Sequence, residues 1–205
     1  GGEWQDAQGN INIDNEFSYN AVQEFKDLYD AGYMVPDGED ANKLFANQQL
    51  IFLPEGTWML SNMEEISDFT WGQTFTPQWN AEHIIQGSGV DQFAMFKTNE
   101  ERSDEKKSGM VDFLTWLQAN QLEWVKSGAN PTSLAMLDNE EYVEMPQSFL
   151  LKTEKGQAAI SVNAVDGLSY IFGEYDNRSW DMITGKADIQ TTFGEIQKVV
   201  EEKMK

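Results

Sequence analysis

Tryptophans in turns and loops are the residues whose surroundings best suit binding chemistry. Trp58 follows the turn Pro54-Glu-Gly56, which comes directly after an apolar run. In α/β folds ligands bind outside the carboxyl ends of strands, so this position favours a binding residue. Glu55 lies in the same turn, and its carboxylate can accept hydrogen bonds. The alternatives are a core tryptophan at a helix start and an ordinary exposed carboxylate.

Other candidate binding residues also lie in loop-like sequence. Trp4 stands in a polar, glycine-rich loop with little apolar sequence around it, and Trp79 lies in the segment Pro77-Gln-Trp-Asn80. Asp91 and Gln92 follow a flexible stretch that contains Gly87 and Gly89. A tryptophan outside an apolar stripe is as suited to a cleft as to packing. Four others are predicted to pack, namely Trp71, Trp116, Trp124 and Trp180.

Composition excludes several classes of function. The chain has 35 acidic and 14 basic residues and a net charge of −21, so nucleic acid and anionic membrane surfaces are poor partners. It has no cysteine and a single histidine, His83, which leaves little for a metal centre or a Ser-His-Asp triad. No apolar run reaches the roughly 18 residues of a membrane-spanning helix. No cofactor motif is present.

The order of elements predicts an α/β fold, because helices alternate with short strands. Helices are predicted at 15–31, 40–46, 104–126 and 188–204, together with one that follows the turn at 54–56 and runs through residue 63 and one in the later part of 167–184. Strands are predicted at 50–53, 69–76 and in the later part of 86–97. Residues 1–13 are predicted to form a loop. The helix at 104–126 is the longest, and its apolar side chains are predicted to face a core.

Read in order, several phrases resemble the extracellular solute-binding proteins, the family that includes maltose-binding and multiple-sugar-binding proteins. The phrases are Gly1-Gly-Glu-Trp4, Phe25-Lys-Asp-Leu-Tyr-Asp-Ala-Gly-Tyr-Met-Val-Pro36, Leu44-Phe-Ala46 with Gly56-Thr-Trp58, Phe69-Thr-Trp-Gly72 through Pro77, Gly87-Ser-Gly89 with Phe113-Leu114, and Trp180-Asp-Met-Ile-Thr-Gly-Lys186. They cover nearly the whole chain. One position departs from the pattern, since Gln48 stands where the family usually has glycine.

The resemblance implies a periplasmic-binding-protein-like type II fold. Members of the family are about twice this length, so the chain is expected to be the C-terminal half of such a protein. Residues 1–86 and 135–205 would form the C-terminal lobe, and residues 87–134 would cross back to complete the N-terminal lobe. The missing half would supply the export signal and a membrane anchor, as in a lipoprotein.

The resemblance also implies the function, which is capture of a sugar or oligosaccharide for an ABC importer outside the cytoplasm. Aromatic faces would stack on the sugar rings, and polar groups would bond the hydroxyls. The family often places a sugar-facing tryptophan at Trp58 and a further aromatic contact near Tyr170 and Phe172. The permease subunits are the expected protein partners, and no catalysis is expected.

Three other functions stay open. A cationic cargo such as a polyamine is the strongest rival to a sugar, because acidic residues are in surplus. A glycoside-active enzyme needs two carboxylates held across a sugar, and no motif places an acid in an apolar setting that would raise its pKa. A protein-interaction domain would use Trp4 and Trp79 as hot spots but would not account for the ordered phrases.

Overall fold

The computed structural model describes residues 2–66, 68–79, 82, 84–89, 92–161 and 165–205. The chain forms two compact units. Unit 1 comprises Gly1–Leu53 and Asn163–Lys205, and unit 2 comprises Pro54–Val162. Helices dominate the described residues of both.

Unit 1 begins with a loop that is anchored to the core. Asp6 accepts hydrogen bonds from the backbone N–H groups of Gln8 and Asn10, each at 2.9 Å, and Gln5 forms an antiparallel bridge with Ile11. Ile11 and Ile13 are buried. The predicted loop is confirmed, and its two isoleucines attach it to the helices.

Three helices of unit 1 pack on one another around this core. They are α1 (Glu16–Asp30), α9 (Leu168–Ile183) and α10 (Ile189–Lys203). The short helix α2 (Ala41–Ala46) follows α1 in the sequence. The buried cluster consists of Ile11, Ile13, Val22, Ile171, Met182, Ile183, Phe193, Ile196 and Val200. The apolar stripe predicted for the last helix is therefore confirmed.

Side-chain caps fix where these helices begin. The side chains of Asn15, Asp40 and Asp188 accept hydrogen bonds from the first-turn N–H groups of α1, α2 and α10. Such caps satisfy donors that have no partner within the helix. The boundaries predicted for these helices agree with the structure to within two residues.

The described residues of unit 2 form one long helix, several short helices and a parallel pair of strands. The helices are α3 (Leu60–Glu64), α4 (Asp104–Ala119), α5 (Gln121–Val125), α6 (Glu140–Val143), α7 (Phe149–Lys152) and α8 (Glu154–Ala159), with 3-10 turns at Thr57–Met59, Leu134–Met136 and Pro146–Ser148. Strands β1 (Gln86–Gly87) and β2 (Ile160–Ser161) pair in parallel, Gln86 opposite Ile160. Since helices lie between these strands in the chain, they form a small α/β connection.

Unit 2 has buried residues of its own. Val125 and Tyr142 are fully buried, and Leu60, Gln147 and Ala159 nearly so. The Tyr142 hydroxyl donates to Asn130 Oδ1 at 2.9 Å, and burial raises the pKa of Tyr142 to about 12. This phenol therefore stays neutral and serves as a structural donor.

The strand predictions at 50–53 and 69–76 are wrong for this structure. Ile51 is 85% and Phe52 70% exposed, and neither segment is paired with another strand among the described residues. A buried strand needs partners for its backbone N–H and C=O groups. An apolar run without such partners stays an exposed, extended segment. The strand predicted in the later part of 86–97 does not form among the residues described there, and a two-residue strand forms instead at Gln86–Gly87, in the part predicted to be a flexible entry.

The prediction of a buried face on the long helix is also wrong. The helix is broken at Asn120 into α4 and α5, and α4 has no buried residue. Phe113 is half exposed, and Trp116 is 59% exposed. Phe93 contacts the edge of Phe113 with ring centroids 6.4 Å apart. An apolar periodicity in the sequence does not by itself show that the helix face is buried.

Candidate functional site

The turn that carries Trp58 is the most exposed aromatic site among the predicted residues. Gly56 precedes a 3-10 turn at Thr57–Met59, which the Met59 N–H closes by donating to the Gly56 carbonyl at 3.0 Å. Trp58 is 74% exposed. The alternative that Trp58 packs into a core is therefore wrong for this structure, and its indole is accessible to a ligand.

The indole of Trp58 folds back over Gly56. A Cβ at position 56 would lie 2.2 Å from two atoms of the ring, which is closer than any contact between such atoms. Gly56 has φ −85°, so it is the closeness of the ring, and not the backbone conformation, that favours glycine here. The missing side chain allows the ring to lie against the turn.

Glu55 places a carboxylate in this same turn. Its Oε2 accepts the Gly56 N–H at 3.0 Å, and the residue is exposed. Carboxylate and indole thus both adjoin the Gly56 peptide. Together they offer an apolar face and hydrogen-bond acceptors within one turn, a combination that suits a polyhydroxylated ligand or a cation.

The turn rests on a well-packed base. Leu60 begins α3 and is buried, while Ser61 Oγ donates to the Ser127 carbonyl at 3.4 Å. Below it, Gln147 Nε2 donates to the carbonyls of Val125 at 2.9 Å and Ala129 at 3.2 Å. A buried amide that satisfies two carbonyls at a helix end holds this base in one conformation.

The remaining candidate residues of unit 2 that the structure describes are exposed to solvent. Trp79 is 64% exposed, and Gln92 is exposed. Asp91 and His83 lie outside the described residues. Near Trp79, Gln78 donates to the carbonyls of Thr76 and Ile85 at 2.6 and 2.9 Å, which closes the loop containing it. Whether these residues bind ligand stays a prediction.

In unit 1 the structure brings Trp4 and Phe172 together. Their rings meet edge to face with centroids 5.2 Å apart, and Trp4 also packs against the buried cluster of unit 1. Tyr170 lies under the ammonium of Lys203, 5.8 Å from the ring centroid. Residues two apart on a helix point to different sides, so Tyr170 and Phe172 do not form one surface.

A polar groove of about 720 Å³ in unit 1 was not predicted from the sequence. It lies between α1 and the segment 185–190, and its lining includes Tyr19, Lys26, Lys186 and Asp188. Lys26 pairs with Asp30 at 2.6 Å and Lys186 with Asp37 at 3.0 Å. Because both ammonium groups are paired, the groove has little positive charge left to attract an anion.

Neither a candidate metal site nor a helix able to span a membrane occurs among the described residues. No group of three or more acidic or histidine side chains is arranged to hold a metal ion in that part of the chain. None of its helices combines the length and the apolar character needed to cross a membrane.

A model of a known protein family matches more than half of the chain. The model of the family described as bacterial extracellular solute-binding protein matches residues 3–149. The matched range includes the whole Trp58 turn, Trp4, Trp79 and the base under the turn, but not Tyr170 or Phe172. No curated protein matches the chain significantly.

Proposed function

The chain belongs to the family of bacterial extracellular solute-binding proteins, and from that premise we propose that it captures a sugar or short oligosaccharide for an ABC importer. Family membership supports an extracellular or periplasmic location and a role in binding. We further propose that the fold is the type II periplasmic-binding-protein arrangement. In it, residues 1–86 and 135–205 build the C-terminal lobe, and 87–134 cross to the N-terminal lobe. Anchoring to the membrane through a preceding segment belongs to the same proposal.

The observation that carries the sugar assignment is the exposed indole of Trp58 beside the Glu55 carboxylate. The C–H face of a pyranose is apolar and stacks on an aromatic ring, while its hydroxyls donate to carboxylate oxygens. Both groups stand on one turn with a buried base, so little ordering is needed when ligand arrives. Preorganisation of this kind lowers the entropic cost of binding.

The test is a calorimetric titration of the full-length protein with a panel of mono- and oligosaccharides. One sugar class is expected to bind, and Trp58→Ala is expected to lower the affinity by at least about tenfold, the loss of a central aromatic contact. Trp116→Ala is the matched control, because Trp116 is an exposed tryptophan of the same unit and is not a candidate contact. Equal affinity for the wild type and Trp58→Ala would contradict the assignment.

A cationic solute is the second candidate, and the same turn favours it. An indole face attracts a cation, and Glu55 supplies a negative charge beside it. The net charge of −21 would also raise the local concentration of cations. Polyamines belong in the same titration panel. Binding that weakens strongly with added salt and responds to Glu55→Gln would favour this cargo over a neutral sugar.

A further inference from the structure

We propose that Gly128 is a positioning residue for ligand binding, because it seats the backbone of the turn that presents Trp58. This inference rests on the proposed function of Trp58 as a ligand contact. Gly128 itself is a residue of the loop that follows α5 and has no part in the ligand surface. Its effect is transmitted through Thr57, the neighbour of Trp58.

The contact between Gly128 and the turn involves the backbone on both sides. A Cβ at position 128 would lie 2.0 Å from the carbonyl oxygen of Thr57 and 3.1 Å from Cβ of Leu60. Gly128 also has φ +104°, a conformation that other residues rarely adopt. Because the opposing atom belongs to the backbone, the clash cannot be relieved by rotating a side chain.

Hydrogen bonds to the Val125 carbonyl hold the loop that carries Gly128 in place. Its N–H donates to the Val125 carbonyl at 3.0 Å, and Gln147 Nε2 donates to the same carbonyl at 2.9 Å. Gln147 is 98% buried, and Val125 is fully buried. The loop therefore cannot move away from Thr57 without breaking a buried hydrogen bond, so a side chain at 128 would displace the turn instead.

Displacing the Thr57 peptide changes the direction in which Trp58 leaves the backbone. The turn is only three residues long, and its closing hydrogen bonds run from the Met59 N–H to the Gly56 carbonyl and from the Leu60 N–H to the Thr57 carbonyl. Because the Thr57 carbonyl is itself one of these acceptors, its peptide cannot shift without disturbing the turn. The indole is then moved relative to Glu55, and the two groups no longer meet a ligand together.

The experiment uses full-length protein labelled with fluorotryptophan, whose fluorine NMR spectrum reports each indole separately. The resonance of Trp58 is assigned by its loss in Trp58→Phe. Gly128→Ala is expected to shift that resonance, to leave those of Trp4 and Trp180 in place, and to weaken binding of the sugar found in the panel by about three- to tenfold. Gly109→Ala is the matched control, because position 109 faces open space in the same unit, and it should leave both readouts unchanged.

A milder variant covers the case in which Gly128→Ala fails to fold. Ser61→Ala removes the hydrogen bond to the Ser127 carbonyl without adding an atom and should shift the Trp58 resonance in the same sense but less. An unshifted Trp58 resonance in Gly128→Ala, or in Ser61→Ala if the first does not fold, overturns the proposal. The NMR readout needs no ligand, so a shifted resonance in a protein that binds no sugar supports the positioning role and refutes the proposed function alone.

Discussion

The N–H of Gln49 donates to the carbonyl of Leu44 at 2.8 Å, and this bond closes a Schellman motif at the end of α2. The second bond of the motif runs from the Gln48 N–H to the Phe45 carbonyl at 2.9 Å. Gln48 occupies the left-handed position between them with φ +61°, the one non-glycine residue with positive φ among those described. This is also the position at which the sequence departs from the glycine usual in the family. The left-handed backbone conformation is therefore adopted here by a residue that has a Cβ.

We therefore expect Gln48→Gly to stabilise unit 1. The left-handed conformation costs a residue with a Cβ about 1–2 kcal/mol, and Gln48→Gly relieves this cost. The greater freedom of glycine in the unfolded chain opposes the gain by roughly 0.5–1 kcal/mol. A net gain of up to about 1.5 kcal/mol in the free energy of unfolding is expected from urea denaturation. Gln49→Gly, one residue further, has no such strain to relieve and should destabilise. Equal effects of the two variants would show that the strain is absent.

Local sequence signals account for what was predicted well. Helix ends were predictable because a cap such as Asn15 or Asp188 and a stop such as Gly185 act within a few residues of the helix they limit. The stripe of α10 was predictable because a helix with a single apolar face has to bury it. For Trp58 the sequence left two outcomes open, a binding residue after a turn and a core tryptophan at a helix start, and the structure has it exposed.

Burial of apolar runs was not predictable in the same way. Residues 50–53 and the apolar side of α4 have the composition of core segments, but burial depends on a partner elsewhere in the chain. The contacts at the candidate site are also long-range. Nothing near position 128 in the sequence indicates that it meets Thr57, and nothing near Trp4 indicates Phe172.

Gly56→Ala is expected to separate ligand affinity from stability. The backbone at Gly56 suits alanine, and the Trp58 ring is a movable side chain, so the ring swings off the turn while the fold persists. Stability should hold or rise by about 0.4–1 kcal/mol, because alanine restricts the unfolded chain. Affinity for the sugar should fall about three- to tenfold as the indole leaves Glu55.

Calorimetry and urea denaturation on one sample measure both effects. Gly72→Ala is the control, since position 72 has open space around it and lies in the same unit. Unchanged affinity in Gly56→Ala would mean that the position of the ring over the turn has no role in binding.

The hydrogen bond from Trp180 to Asp37 should report on acidification. Trp180 Nε1 donates to Asp37 Oδ1 at 2.7 Å, and Lys186 bonds Oδ2 at 3.0 Å. Lys186 first and Trp180 second hold the pKa of this carboxyl below its ordinary value of 3.8. The stabilisation from the depressed pKa is thus complete above pH 3.8 and is lost as the pH falls through the lower, folded-state value.

The emission of Trp180, obtained as the difference between wild type and Trp180→Phe, is therefore expected to change with a midpoint below pH 3.8. In Asp37→Asn that transition should be missing, while any general acid unfolding remains visible. A midpoint at or above 3.8 would show that Lys186 and Trp180 do not stabilise the carboxylate in solution.

Gln147 is expected to be the residue of unit 2 least tolerant of an apolar substitution of similar size. Its amide is buried and donates to the carbonyls of Val125 and Ala129, so Gln147→Leu fills the space but removes the donor to the Ala129 carbonyl and leaves the Val125 carbonyl with the Gly128 N–H alone. A buried polar group left without its partner costs about 1–3 kcal/mol, and unit 2 should lose stability of that order.

Hydrogen exchange of α5 and α6 measures this loss in unit 2 alone, and the protection of α10 in unit 1 provides an internal reference. Gln118→Leu is the matched control, because Gln118 lies on the exposed surface of α4 and its side chain is not required by the fold. Faster exchange in α5 of Gln147→Leu, with a shifted Trp58 fluorine resonance in the same variant, would link the buried amide to the binding turn. Exchange as slow as in wild type would show that water reaches the two carbonyls and replaces the amide.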